Sequence, residues 1–169
     1  DLLKKLEELK EDISNKDLNN LVEQIDLKYE DLAKELDKNL ELLKKHKIEK
    51  GIENIIQELK DISEDQLKAS TLPEDSLVRE LNKNDLQKTK DLRNNYKENV
   101  ELNNDLEKPI DLKNFDEEFE SLEDGLENKD SDKQDSSEDN KNNSKKAKDL
   151  AEKMEQMMQS NQQKENAEN

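Results

Sequence analysis

Leu18-Asn-Asn-Leu-Val-Glu-Gln-Ile-Asp-Leu-Lys-Tyr-Glu-Asp-Leu-Ala-Lys-Glu-Leu36 is the stretch that decides the fold class. Its apolar residues Leu18, Val22, Ile25, Tyr29, Leu32 and Leu36 step by four, three, four, three and four. Residues so spaced share one side of a helix, and the alternation of threes and fours is the heptad spacing of packed helices. The seam continues to Leu40 and Leu43 with a one-residue shift, as in a stutter. Leu21, Leu27 and Leu42 widen the stripe, which suits a small bundle better than a two-stranded zipper.

Upstream, Leu2, Leu3, Leu6, Leu9 and Ile13 mark the face of a short helix, and Ser14-Asn-Lys-Asp17 reads as punctuation before the next one. A chain that opens on Asp1 with a helical pattern already under way reads as a fragment or a processed product. Downstream, Lys44-Lys-His-Lys47 forms a basic patch suited to a helix C-terminus. A second stripe follows, made of Ile48, Ile52, Ile55, Leu59 and Ile62, with Ile56 beside it. The phase breaks between the two stripes. One bent helix over 18–62 and a hairpin near 44–51 both fit, with a bend or turn favoured, and residues 1–62 form the first, coiled-coil-like segment.

Residues 63–76 read as a connection, because Pro73 blocks helix continuation and Asp75 or Ser76 can start a new helix. Residues 77–127 comprise a helix over about 77–107, a break at Pro109, and a short helix carrying Phe115, Phe119, Leu122 and Leu126. The apolar stripe is thin over 82–91, where Leu86 stands alone. Residues 128–146 contain no apolar side chain and read as a disordered acidic linker. Residues 147–160 form a Met-rich amphipathic helix with Met154, Met157 and Met158 on one side, and 161–169 read as a frayed tail.

Composition agrees with an all-α class built from long amphipathic helices in a coiled-coil-like bundle. Of 169 residues, 44 % are charged and 28 % hydrophobic, and 46 Asp+Glu against 29 Lys+Arg give a net charge of −17. Two Gly and two Pro cannot supply the turns of a β-sandwich or barrel. No apolar run approaches the roughly 18 residues of a membrane span. The acidic balance argues against nucleic acid as a partner, and the absence of Cys removes disulfides and thiolate metal sites.

Chemical motifs are equally sparse. His46 has no second His or Cys to share a transition metal and reads as a solvated helix-end residue. The acids Asp130, Asp132, Asp135, Glu138 and Asp139 fail the calcium-loop pattern: counted from Asp130, the sixth residue is Asp135 rather than Gly and the twelfth is Lys141. Glu117-Glu118 lacks the contrasting environments that make a carboxylate pair catalytic. The Met stripe reads first as packing and second as a docking face on a tether. Asp75-Ser-Leu77 has the three-residue form of a periplasmic O-glycosylation acceptor, a pattern of little information. The residues expected to carry function by helix packing or partner binding are Leu18, Val22, Ile25, Tyr29, Leu32, Leu36, Ile48, Ile52, Ile55, Leu59, Phe115, Phe119, Met154, Met157 and Met158. No cofactor, metal ligand or catalytic residue is expected.

Three blocks carry a resemblance: Asp37-Lys-Asn-Leu-Glu-Leu-Leu-Lys-Lys-His-Lys-Ile-Glu-Lys-Gly-Ile-Glu-Asn-Ile-Ile-Gln-Glu-Leu-Lys60, Asn103-Asn-Asp-Leu-Glu-Lys-Pro-Ile-Asp-Leu112, and Ser144-Lys-Lys-Ala-Lys-Asp-Leu-Ala-Glu-Lys-Met-Glu-Gln-Met-Met158. Their content and order resemble the central part of a large, membrane-anchored, helix-rich family of unknown function from Bacteroidota. The resemblance implies membrane helices outside this chain and an extracytoplasmic body, and it supplies no catalytic residues. The thin stripe at 82–91 and a longer acidic linker depart from it. The resulting expectation is a non-enzymatic segment of a cell-envelope scaffold or tether, located in the periplasm, whose partner is a protein: a second copy or another envelope protein. A holdase-like chaperone or secretion accessory, clasping clients with its long arms and Met-rich face, is the alternative.

Overall fold

The computed structural model describes residues 2–73, 76–127 and 136–168, and the side chains of 18–73, 76–127 and 137–167. Among the described residues there are four α-helices and no strand: α1 (Leu2–Ala69), α2 (Ser76–Asn104), α3 (Asp116–Glu127) and α4 (Ser136–Glu168). The chain divides into two units, residues 1–43 and 44–169. The expected all-α class of long helices packed on one another is what the chain adopts.

The second unit is a bundle of the later part of α1 with α2, α3 and α4. Its spine is the Ile48–Ile62 stripe, all of it buried. The heptad spacing does not stop there. It runs on through Gln66 and Ala69, also buried. A second heptad row lies on α2: Val78, Asn82, Asp85, Thr89, Leu92, Tyr96 and Asn103 are buried. On α3 the buried residues are Phe119, Leu122 and Leu126. On α4 Ala147, Leu150, Ala151, Met154, Met157 and Met158 complete the core. A helix with so narrow a stripe is marginal alone, so these four rows are stable only against each other.

The interior has two chemically distinct halves. One is apolar and aromatic. Tyr96 meets Phe115 edge-on with ring centroids 5.7 Å apart and lies 6.1 Å from Phe119. Its hydroxyl donates to the Lys113 carbonyl at 2.6 Å, and burial raises its pKa, so it stays a donor. The other half is polar and follows the last turns of α1. Gln66 Nε2 donates to Asn82 Oδ1 at 2.9 Å and to Asp85 Oδ2 at 2.8 Å. Ser63 and Ser144 share a hydrogen bond of 3.1 Å, and Ser137 Oγ donates to the Ser70 carbonyl at 2.7 Å. Asn143 Nδ2 donates to the Gly125 carbonyl at 2.9 Å.

Several expected boundaries move, each for a physical reason. The helix runs through 14–17, where punctuation was expected, and through 44–51, so that of the two alternatives there the hairpin is removed and one helix stands. Gly51 costs a helix only about 1 kcal/mol relative to Ala. Its missing side chain also has a use, since a Cβ there would lie 2.5 Å from Asn99 Oδ1. The connection at 63–76 is shorter than expected: α1 continues to Ala69, and hydroxyls then close it. Ser70 Oγ donates to the Leu67 carbonyl at 2.7 Å and Thr71 Oγ1 to that of Lys68 at 2.8 Å. Such bonds satisfy carbonyls that a helix end leaves open. Asp75 lies outside the described residues.

α2 ends at Asn104 rather than near 107. There the Asn103 amide grips the backbone across the Pro109 break, donating to the Ile110 carbonyl at 2.9 Å and accepting from its N–H at 2.8 Å. α3 is opened by Asn114, whose Oδ1 accepts the Asp116 N–H at 2.9 Å. Acidic residues in its first turn face the positive end of the helix dipole.

The expected linker is the largest correction. Residues 136–146 are helical and belong to α4, with Asn140, Asn143 and Ser144 buried; residues 128–135 lie outside the described part. Lack of apolar side chains argued for disorder. Hydrogen bonding into the bundle offsets the ordering entropy instead. The tail expected to fray is helical to Glu168. Asn161 donates to the Asp111 carbonyl at 3.0 Å and Lys164 to the Asp111 carboxylate at 2.8 Å. Of the calcium-loop candidates, Glu138 and Asp139 stand exposed on α4, and the other three lie outside the described residues.

Arg93 ties α2 to α3. It donates to Asp116 Oδ1 at 2.9 Å and to Glu123 Oε2 at 3.3 Å. Arg93 first, then Lys97, hold the Asp116 carboxyl below its usual range. A carboxylate depressed by folding contributes stability above its unfolded pKa and loses it as pH falls through the folded value. The contribution is small because the pair is open to solvent.

Three outcomes are expected. Phe119→Ala lowers unfolding stability by about 3–5 kcal/mol in denaturant titration, without loss of helix type. Gln66→Leu alone removes a donor from Asn82 and from buried Asp85 and costs about 1–3 kcal/mol. Replacing Gln66, Asn82 and Asp85 together by Leu costs far less or stabilises, so a triple variant no better than the single one would refute the polar half as a linked unit. Finally, Asp116 titrates below the ordinary carboxylate value by NMR and moves upward in Arg93→Gln; an unmoved value removes Arg93 as the cause.

Candidate interaction site

The fifteen residues expected to carry packing or partner binding fall into two groups. Ile48, Ile52, Ile55, Leu59, Phe115, Phe119 and the three methionines join one core cluster of the second unit. Their role there is to hold the bundle. The Met-rich face in particular is used internally: Met154, Met157 and Met158 are all buried. The Met157 sulfur even accepts the Lys113 backbone N–H at 3.2 Å, which a polarizable thioether can do weakly.

The second group belongs to the first unit and behaves otherwise. Leu18, Val22, Ile25, Tyr29, Leu32 and Leu36 lie on α1 with 43–67 % of their surface open, from Ile25 at the low end to Tyr29 at the high end. Leu43 continues the same seam, Leu40 lies one residue off it at the edge, and both are exposed as well. Of the two roles expected for them, packing or partner binding, these residues are not used in the core cluster of the second unit. Eight apolar side chains along one helical face exceed the scattered exposure that needs no explanation, and such a stripe is a candidate interaction surface. Heptad spacing defines what would fit it: another helix, with side chains seated between those of the seam.

The surface is flanked rather than interrupted by charge. With Val22, Tyr29 and Leu36 in one row and Leu18, Ile25 and Leu32 in the other, Asp26, Lys28 and Glu35 border the seam. Lys34 and Glu41 lie on the opposite side.

Elsewhere the chemistry is sparse. His46 is exposed on α1 and edges an open groove of about 730 Å³ between α1 and α2. That groove mixes Lys47, Lys50 and Lys88 with Glu58, Asp91 and Glu98, so it presents no net charge pattern to a ligand. Among the described residues, no three His, Cys, Asp or Glu side chains converge on a metal-ion position. No described helix is long and apolar enough to cross a membrane.

Gln66, Asn82, Asp85, Thr89, Asn140 and Asn143, which shape the bundle's polar half, were not among the residues expected to pack. A signal was present. The heptad count continues unbroken through Gln66 on α1 and through Asn82, Asp85 and Thr89 on α2 once polar residues are admitted to it.

Comparison with known proteins leaves the reading to these residues: no family model matches the chain, and neither curated proteins nor solved structures give a significant match.

Proposed function

We propose that the chain is a non-enzymatic interaction segment of a scaffold or tether, acting by helix–helix packing. The exposed heptad seam of residues 18–43 carries this reading. One part of the chain spends its apolar stripes on a closed bundle, while another displays a stripe of the same design with its side chains open. The bundle is then the anchored body and the seam is the working surface. The three blocks that resemble a membrane-anchored, extracytoplasmic family support a place in the cell envelope as part of a larger parent.

The holdase-like alternative drew on long helical arms and a Met-rich face. That face is inside the core, so the scaffold reading is preferred.

The reading is tested in the cell that makes the protein. A photo-crosslinking residue is introduced in place of Leu32 on the seam, and separately in place of Lys34 on the opposite side. A scaffold gives protein adducts at Leu32 and few or none at Lys34. Equal labelling at both positions, or no adduct at Leu32, refutes it.

A further inference from the structure

The seam of residues 18–43 contains information about its own occupant. At about 1.5 Å rise per residue it runs about 39 Å, long enough for several heptad layers. We propose that its partner is a second copy of the same seam, lying antiparallel and centred between Glu30 and Asp31. The inference rests on the scaffold reading and deepens it by naming the partner.

Charge complementarity carries the choice. In that register Leu18 meets Leu43 of the second copy, Ile25 meets Leu36, and Tyr29 meets Leu32. By symmetry each of these layers occurs twice, and Val22 faces Asn39 in the remaining pair. On one flank Lys28 faces Glu35 of the second copy and Glu35 faces its Lys28. On the same flank Leu21 meets Leu42, so two residues that widen the stripe are covered too. On the other flank Asn19 meets Leu40 and Asp26 meets Ala33. No like charges oppose each other, although residues 18–43 carry seven acids against three lysines. Most of that acidity lies away from the seam.

The parallel arrangement lacks these features. In register it sets Lys28 against Ala33 and Glu35 against Leu40, with no opposite charges across either flank. It also places Tyr29 on Tyr29 and Asn39 on Asn39. Flanking charges set orientation in paired helices, and these distinguish the two arrangements.

The chain contains no Cys, so introduced thiols report orientation without background. Full-length Leu18→Cys and Leu43→Cys chains are mixed under mild oxidation. The expected product is a disulfide between the two different variants, with neither variant cross-linking to itself. Self-linking of either variant alone means a parallel pair and overturns the proposal.

Sedimentation equilibrium supplies the second readout. Lys28→Glu, which sets like charges opposite each other, weakens self-association about tenfold. Lys28→Glu combined with Glu35→Lys restores it. Ile25→Asp abolishes it, with the thermal unfolding of the residue 44–169 bundle as the control for folding. A chain that stays monomeric at millimolar concentration, or a charge swap that does not rescue, also overturns self-pairing. In that event adducts to a different protein at Leu32 leave the scaffold reading standing, whereas no adduct at all removes both.

Discussion

A helix that carries apolar residues on only one narrow face has nothing of its own to bury them against. That constraint governs this molecule. The row from Ile48 to Ile62 is withdrawn from water only because α2, α3 and α4 bring matching rows to it. Each helix supplies only one or two buried apolar side chains per turn, or fewer, and the sum is a core that none could form alone. With 28 % hydrophobic residues, the chain has little apolar surface to spare, and the arrangement is economical: short aromatic and thioether contacts fill one half, and hydrogen bonds fill the other.

The polar half changes what the core specifies. Leu-rich rows slide past each other at modest cost, since one leucine replaces another. Gln66 bonded to Asn82 and Asp85, and Ser63 to Ser144, are satisfied in one alignment only. Buried polar residues in paired helices are best attested as devices that set register. The Asn103 grip on Ile110 acts in the same spirit at the other end of α2, fixing the path of the chain around Pro109. Specificity here comes from amides and hydroxyls, and affinity from Ile, Leu, Phe and Met.

The fold class was legible in the sequence because periodicity reports which face a helix buries, and the rows at 18–36 and 48–62 are regular. The closed core around Phe115, Phe119 and the methionines could be read for the same reason. Boundaries and the α4 N-terminal half could not. A hydropathy pattern sees residues 136–146 only as polar, whereas their order comes from partners far along the chain, such as Ser70 for Ser137 and Gly125 for Asn143. The phase break after Leu43 resembled a turn because sequence shows a change of face, and a change of face does not require the helix to end. As for the exposed stripe of residues 18–43, its residues were visible as a seam, but a seam that packs within the chain and one that stays open are written identically. Only coordinates separate Ile25 from Ile52.

The division of the bundle's interior also grades its resistance to opening. Where the spine is isoleucine and phenylalanine, separation exposes oily surface and water opposes it strongly. Where the spine is Gln66 and its serine neighbours, water can replace each lost hydrogen bond, so the penalty for parting is smaller. The expected consequence is slowest amide exchange in α1 around Ile52–Leu59 and faster exchange toward Ala69, with opening of the bundle beginning at that end.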